Sequence, residues 1–285
     1  MTSFPAALVG LLSCPVCGAS LRLEPPTFRC EQGHTFDLAR QGYVHLSARP
    51  LREGDTSQMV QARVRFLAAG HYAPLALRLS ELAAQAPPGP VLDVGAGTGH
   101  YLAQVLDARP SEEGLAVDLS RAAARRAASA HPRLGAIVAD AEVALPCRDE
   151  AFGLALSVFA PRPREALARV TWPGGHLLVA SAGEGHMAEL RGELDLLGVG
   201  GNKQAQLESR LEGLFERIHQ ESLRFALRLS REDAADLIGM GPNAFHLTPE
   251  ALQARVEKLP PELEVTADVD LAIFRRTRTR TRADN

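Results

Sequence analysis

The sequence has little cysteine, no long apolar run and no marked excess of either charge. Four cysteines in 285 residues are too few for a disulfide framework. Apolar stretches are broken by Gly, Pro or charge well short of the roughly 18 residues that a membrane-spanning helix needs. The opening MTSFPAALVGLLSC carries no Lys or Arg ahead of its short apolar stretch. No secretory leader is therefore expected, and the expected location is the cytoplasm. Lys and Arg number 31 against 34 Asp and Glu, a net charge of −3 that excludes a uniformly basic nucleic-acid coat protein. The balance is uneven, because residues 1–70 hold seven Arg against five acids. Any polyanion-binding patch is expected to be local and toward the N-terminus. At 46% hydrophobic and 23% charged, the rest is an ordinary globular chain of one large or two unequal domains.

Three of the four cysteines are grouped. Cys14-Pro15-Val16-Cys17, then Cys30, then His34 form the pattern C-x2-C-x12-C-x3-H. Two thiolates spaced by two on a tight turn point at one metal, and a second Cys/His pair completes a tetrahedron. Gly18 and Gly33 sit where such turns need unusual backbone angles. Four protein ligands leave no open coordination position, so the expected zinc is structural. Leu21, Leu23 and Phe28 alternate as short strands would, with Pro25-Pro26 between them. A segment of about fifty residues builds little core of its own, the situation in which a metal is usually needed.

Pro50 to Ser57 reads as a linker, so the expected division is a zinc-binding domain over 1–50 and linker helices plus a larger domain over 51–285. Apolar residues at helical spacing predict helices near 59–67 and 75–82. Strands and helices then alternate: strands at 91–94, 114–117, 136–139, 152–159 and 176–180, helices at 102–106 and 121–130. That alternation predicts an α/β fold with a parallel sheet covered on both faces. Further helices are expected near 209–215, 231–238 and 249–258, with late strands near 222–229 and 264–274.

After the first of these strands the chain reads Asp93-Val94-Gly95-Ala96-Gly97-Thr98-Gly99-His100. A dinucleotide fingerprint would need a small residue where His100 stands. The spacing G-x-G-x-G instead brings backbone N–H groups against a nucleoside without a pyrophosphate. The next strand ends in Asp118, placed for both ribose hydroxyls, and the third in Asp140, placed for an adenine amino group. Together these features point to S-adenosylmethionine, in preference to a dinucleotide or a loop with no ligand. They resemble a class I (Rossmann-like) methyltransferase, over roughly 90–182.

The fourth strand ends Ser157-Val158-Phe159-Ala160-Pro161-Arg162. It lacks the Asp/Asn-Pro-Pro-aromatic box typical of exocyclic amine methylation. Cys147, the fourth cysteine, is expected in a surface loop with no catalytic part. A ring nitrogen or a hydroxyl remains as acceptor, for which in-line positioning of an activated methyl does most of the work.

With the zinc motif included, the chain from Cys14 to about Pro260 resembles the bacterial 23S rRNA (guanine-N1)-methyltransferases of the RlmA type. The most specific pieces are Cys14–Cys17, Cys30–Asp37, Arg40–Val44, Arg65–Leu67 with Gly70–Tyr72, and the loop at 93–99. Wording around Asp37–Arg40 and Gly239–Pro242 looks closer to the actinobacterial branch linked to tylosin-type macrolide resistance. That branch modifies a guanine in hairpin 35, beside the peptide exit tunnel. The resemblance implies Cys14, Cys17, Cys30 and His34 as zinc ligands. It implies cofactor contacts at Tyr72, Thr98, Gly99, His100 and His186, beside Asp93, Gly95, Gly97, Asp118 and Asp140 from the fold. It also implies a homodimer.

Guanine N1 carries a proton that must leave. No carboxylate directly follows the fourth strand, so water, a carbonyl near Phe159–Pro161, or His186 are the acceptors to consider. Phe159 is placed either to stack on the extruded base or simply to fill the core. For holding RNA the sequence offers Arg22, Arg29, Arg40, Arg49, Arg52, Arg63 and Arg65, and a tail running from Arg275 to Arg282 that is expected to be frayed. Two other readings stand beside the leading one: methylation of a small natural product, and a non-catalytic zinc-dependent RNA-binding protein.

Overall fold

A computed structural model describes residues 4–194, 203–245 and 247–277. The large sheet, among these residues, has eight strands: β4 (Tyr43–His45), β5 (Val91–Val94), β6 (Gly114–Asp118), β7 (Leu134–Val138), β8 (Phe152–Val158), β9 (Thr171–Ala182), β10 (Phe215–Ser230) and β11 (Glu262–Arg276). Their order is β10-β11-β9-β8-β5-β6-β7-β4, all parallel except β11, which runs antiparallel between β9 and β10. The order reverses between β5 and β8, and ligands of such sheets bind beyond the strand ends at that switch point. β5 and β8 are buried along their whole length, which is why they read as continuous apolar runs.

Helices α2 (Ser57–Ala68), α3 (Ala73–Ala84), α4 (His100–Ala108), α5 (Arg121–Ala127), α6 (Arg164–Val170), α7 (Ala188–Leu194), α8 (Lys203–Leu211), α9 (Arg231–Gly239) and α10 (Pro249–Val256) surround the sheet. α2 starts where the hydroxyl of Thr56 accepts the backbone N–H of Met59, and α9 starts at a reciprocal Ser230/Asp233 capping box. The helix expected at 209–215 ends instead at Leu211. Gly213, at φ +82°, turns the chain, and β10 begins at Phe215, seven residues before the strand start expected from the sequence.

The cysteine-bearing segment contributes α1 (Ala6–Val9) and a small antiparallel sheet of β1 (Leu21–Glu24), β2 (Thr27–Cys30) and β3 (Thr35–Asp37). It does not hang free. Phe4, Leu8, Leu12, Cys14, Leu21, Phe28 and Cys30 share one core with Leu92, Val94, Leu115 and Ile137 of the large sheet. A Cβ on Gly135 of β7 would lie 2.8 Å from Leu8 and 2.9 Å from Phe4, so α1 rests directly on strand backbone. β4 then extends the sheet alongside β7, with Tyr43 opposite Ala136. The segment thus borrows a core that its own length could not supply.

Cys147 is not in a surface loop. It is fully buried in this shared core, bridged to Leu12, and burial pushes its thiol up to about 12. Nor are Arg275 and Arg276 frayed. They end β11, where Arg275 pairs with Glu216 at 2.7 Å and Arg276 donates to the Thr171 carbonyl. The rest of the expected basic tail, 278–282, lies outside the described residues.

Candidate active site

Four ligand atoms converge in the N-terminal segment. One atom each from Cys14, Cys17, Cys30 and His34 lie within 4.8 Å of one another. The Cys17 and Cys30 sulfurs are 3.7 Å apart, and His34 Nδ1 lies 3.3 Å from Cys30 Sγ and 3.7 Å from Cys14 Sγ. A tetrahedron with zinc–sulfur bonds of about 2.3 Å has edges of about 3.8 Å between sulfurs, so the donor set fits the ion. Gly18 and Gly33 adopt φ +75° and +85° at the two turns. Burial would raise the Cys30 thiol, but hydrogen bonds from His34 and Gln32 bring it down to about 6, toward the thiolate a metal needs.

The second constellation lies at the switch point. Gly95, Gly97 and Gly99 all take positive φ, between +55° and +75°. The bend turns the Gly97 N–H onto Asp118 Oδ2 at 2.8 Å, while Ser120 N–H donates to Oδ1 at 2.8 Å. Each carboxylate oxygen keeps a free lone pair, which a ribose diol can use. Asp93 is fully buried, and its Oδ1 has no hydrogen-bond partner. Burial and the neighbouring Asp118 charge push its carboxyl up to about 8. Thr98 is buried, and His100 opens α4 with its ring against Tyr101. Three glycines bent toward a carboxylate and an orphaned buried acid fit an adenosyl-amino-acid cofactor.

Asp140 is engaged. Arg52, from the segment before α2, donates to both of its oxygens and also reaches Glu142. That segment is no loose linker, since a Cβ on Gly54 would lie 2.9 Å from Ser120 N and the Ser120 hydroxyl donates to the Asp55 carbonyl at 2.6 Å. Other arginines expected to hold RNA are also paired. Arg63 binds Asp55 and the Met240 carbonyl, Arg65 binds Asp236 at 2.8 Å, and Arg29 binds Glu24 at 3.1 Å.

The acceptor side is aromatic. A Cβ on Gly95 would lie 2.5 Å from Ala160 Cβ, so the glycine loop touches the turn that ends β8. Within that turn Phe159 has φ +53°, a strained value for a bulky residue, and remains 41% exposed. The Ser157 hydroxyl donates to the Ala160 carbonyl at 3.2 Å and holds the turn. Phe159 faces Tyr72 and His186, with ring centroids at 6.1 and 5.7 Å. Tyr72 is buried just ahead of α3, and burial raises its phenol well above the usual range.

His186 is buried, and its Nδ1 accepts the backbone N–H of Asp268 at 3.3 Å. A neutral imidazole then carries its proton on Nε2, which lies 3.4 Å from the Tyr72 hydroxyl. With Nδ1 accepting, the imidazole presents a donor rather than an acceptor toward Tyr72. Asp268, which sequence reasoning missed, holds this loop. It accepts the Gly185 N–H at 2.9 Å and is neutralised by a two-pronged contact from Arg224. A lone Asp in an alternating strand offered no signal.

The N-terminal residues 12–47 match a zinc-ribbon family described as "RlmA, N-terminal", and residues 91–175 match a family described as "Methyltransferase domain". The chain is 46% identical over 273 residues, 94% of its own length and 98% of the relative's, to the Streptomyces fradiae protein named 23S rRNA (guanine(748)-N(1))-methyltransferase. It is 44% identical, over 93% of its length and 97% of the relative's, to a Micromonospora griseorubida protein assigned as a 23S rRNA (guanine-N(1)-)-methyltransferase. A Bacillus subtilis protein with the same assignment is 30% identical over 64% of this chain and 67% of its own. Among the described residues, no helix is long and apolar enough to cross a membrane.

Proposed function

Because the chain belongs to the family of 23S rRNA (guanine-N1)-methyltransferases, we propose that it methylates N1 of a guanine in hairpin 35, beside the peptide exit tunnel, and thereby confers resistance to tylosin-type macrolides. The observation that carries this reading is the 46% identity across nearly the whole length of a relative named for guanine 748. The enzyme depends on S-adenosylmethionine and holds a structural zinc. Residues 1–50 serve RNA recognition and residues 51–285 serve catalysis, in a cytoplasmic homodimer.

Zinc would be held by Cys14, Cys17, Cys30 and His34. The methyl donor would be held by the glycine loop, with Thr98 and His100 beside it, and by Asp93, Asp118, Asp140, Tyr72 and His186. When bound, it supplies an activated methyl group. The rest of the work falls to residues of this chain. The glycine loop touching Ala160 brings donor and acceptor ends together. Phe159 stacks on the extruded guanine, its ring held outward by the left-handed backbone. His186 donates rather than accepts, so the N1 proton leaves through water held at the carbonyls of the 159–161 turn.

The test uses tritiated S-adenosylmethionine with a 23S transcript spanning hairpins 33 to 35 and, separately, a macrolide, followed by digestion to nucleosides. Label is expected in 1-methylguanosine, and primer-extension stops then give the nucleotide. Label in the macrolide, or in no nucleic acid, overturns the reading.

A further inference from the structure

The arginines closest to the cofactor loop are already spent on carboxylates, so the cations still available for a phosphate backbone must be sought elsewhere. Arg22, Arg40 and Arg49 stay exposed on the zinc-bearing segment, and a denser set lies on α5, whose sequence Arg121-Ala122-Ala123-Ala124-Arg125-Arg126-Ala127 buries Ala123, Ala124 and Ala127 and exposes all three arginines. The helix has no acid in its first turn, and among the described residues none of these arginines meets a carboxylate. Arg121 reaches the ring Nδ1 of His45, at 3.3 Å.

Helix physics favours Arg125 and Arg126, which stand in the last turn at the negative end of the helix dipole, and disfavours Arg121. Arg121 places a cation at the positive end of the helix dipole, and Arg121 and Arg125 are like charges four apart, each costing a few tenths of a kcal/mol. A chain of net charge −3 that leaves three unneutralised cations together has concentrated them on one surface. They line a groove of about 520 Å³ between α5, α2 and β4, whose opposite wall carries Tyr43 and Gln61. The groove joins the zinc-bearing segment, through β4, to the flank of the cofactor loop, since Arg121 is three residues beyond Asp118.

We propose that the groove between α5, α2 and β4 is an RNA-backbone site, in which Arg121, Arg125 and Arg126 contact phosphates of the substrate strand. Tyr43 offers a face for an unpaired base and Gln61 a polar edge. This site rests on the reading of the enzyme as an rRNA methyltransferase and moves the main electrostatic contact from the paired linker arginines to α5.

The test compares wild type with Arg125→Glu/Arg126→Glu, with the milder Arg125→Ala/Arg126→Ala, and with Arg228→Glu on the far edge strand as a charge control. Binding of the hairpin 33–35 transcript is measured against salt, beside S-adenosylmethionine affinity and the thermal midpoint. Loss of two phosphate contacts lowers the slope of log K against log salt by roughly 1.5–2. Both groove variants are expected to weaken RNA binding at least tenfold at low salt, with cofactor affinity and midpoint unchanged and Arg228→Glu near wild type. An unchanged salt slope in variants of an enzyme that still makes 1-methylguanosine overturns the groove but not the activity. A wild type that binds no rRNA overturns the activity first. Binding of anionic vesicles that the groove variants lose, with RNA binding retained, overturns the RNA assignment in favour of a membrane surface.

Discussion

The guanidinium of Arg52 closes on the carboxylate of Asp140, Nε to Oδ2 at 2.8 Å and Nη2 to Oδ1 at 3.2 Å. Arg52 holds that carboxyl below the usual range, while its own side chain is 56% exposed. An ion pair this exposed is worth about 0–1 kcal/mol. An adenine amino group reaching Asp140 competes with Arg52 for the same oxygens. Replacing Arg52 by Met should therefore tighten S-adenosylmethionine binding by up to about fivefold, whereas Asp140→Ala should weaken it. Calorimetric titration of the two variants checks this. Weaker binding by Arg52→Met would show that the arginine helps to build the adenine site.

His186 accepts the Asp268 N–H, so its neutral form presents a donor at Nε2, and the proposed route for the guanine proton runs through water instead. His186→Asn keeps an acceptor near the Nδ1 position and deletes the donor toward Tyr72. The variant should raise KM for S-adenosylmethionine and leave the shape of the pH profile of kcat unaltered. Loss of an ionisation from that profile would restore His186 as the base.

Phe159 combines partial exposure with φ +53°. Stacking on an unpaired base is worth about 1–3 kcal/mol, so Phe159→Ala should lower kcat/KM for RNA by about fivefold to a hundredfold. Phe159→Gly should lose the same stacking but melt higher than Phe159→Ala, because glycine adopts that backbone without strain. Full activity in both variants would return Phe159 to a packing role.

What could be read from the sequence was local in it. The zinc ligands announce themselves because metal geometry imposes short fixed spacings, and the glycine loop because a tight turn at a strand end needs glycine. The central strands stand out because burial on both faces forces apolar runs. Partnerships across the fold left no such trace. Asp140 lies 88 residues from Arg52, and Asp236 lies 171 from Arg65. Nothing near either arginine says that its charge is already neutralised. The three residues of β4 are too few to show a period, so the sequence did not reveal that the last strand of the zinc-bearing segment joins the large sheet beside β7.

That continuity has a consequence for metal removal. Cys147 is covered by the zinc-bearing segment: Leu12 bridges it, the Arg148 N–H donates to the Leu11 carbonyl, and the Ser13 N–H donates to the Pro146 carbonyl. In the zinc-loaded protein, iodoacetamide should leave Cys147 unlabelled, since the thiol is buried and its ionisation is suppressed to about 12. Chelation should expose it together with Cys14, Cys17 and Cys30, and lower the thermal midpoint of the whole chain. Peptide mapping by mass spectrometry reads each site. A Cys147 that stays protected after zinc is gone would mean that the segment folds onto the sheet without its metal.

Asp93 supplies a pH dependence of stability whose sign follows from its surroundings. Burial, with the Asp118 charge beside it, raises its carboxyl from 3.8 to about 8, so the folded protein holds a proton there that the unfolded chain has released. The unfolded state binds fewer protons between those values, and stability falls as pH rises across that window. The contribution is fully present below about 4 and is lost as pH passes through about 8. Asp93→Asn mimics the protonated carboxyl at every pH and removes the dependence. Urea unfolding of the cofactor-free protein at pH 5, 6, 7 and 8 should therefore give wild-type midpoints that decline more steeply than those of Asp93→Asn. The two should be nearest at pH 5 and furthest apart at pH 8. Parallel lines would mean that Asp93 is ionised in the fold, with a partner supplied by water at its unpaired oxygen.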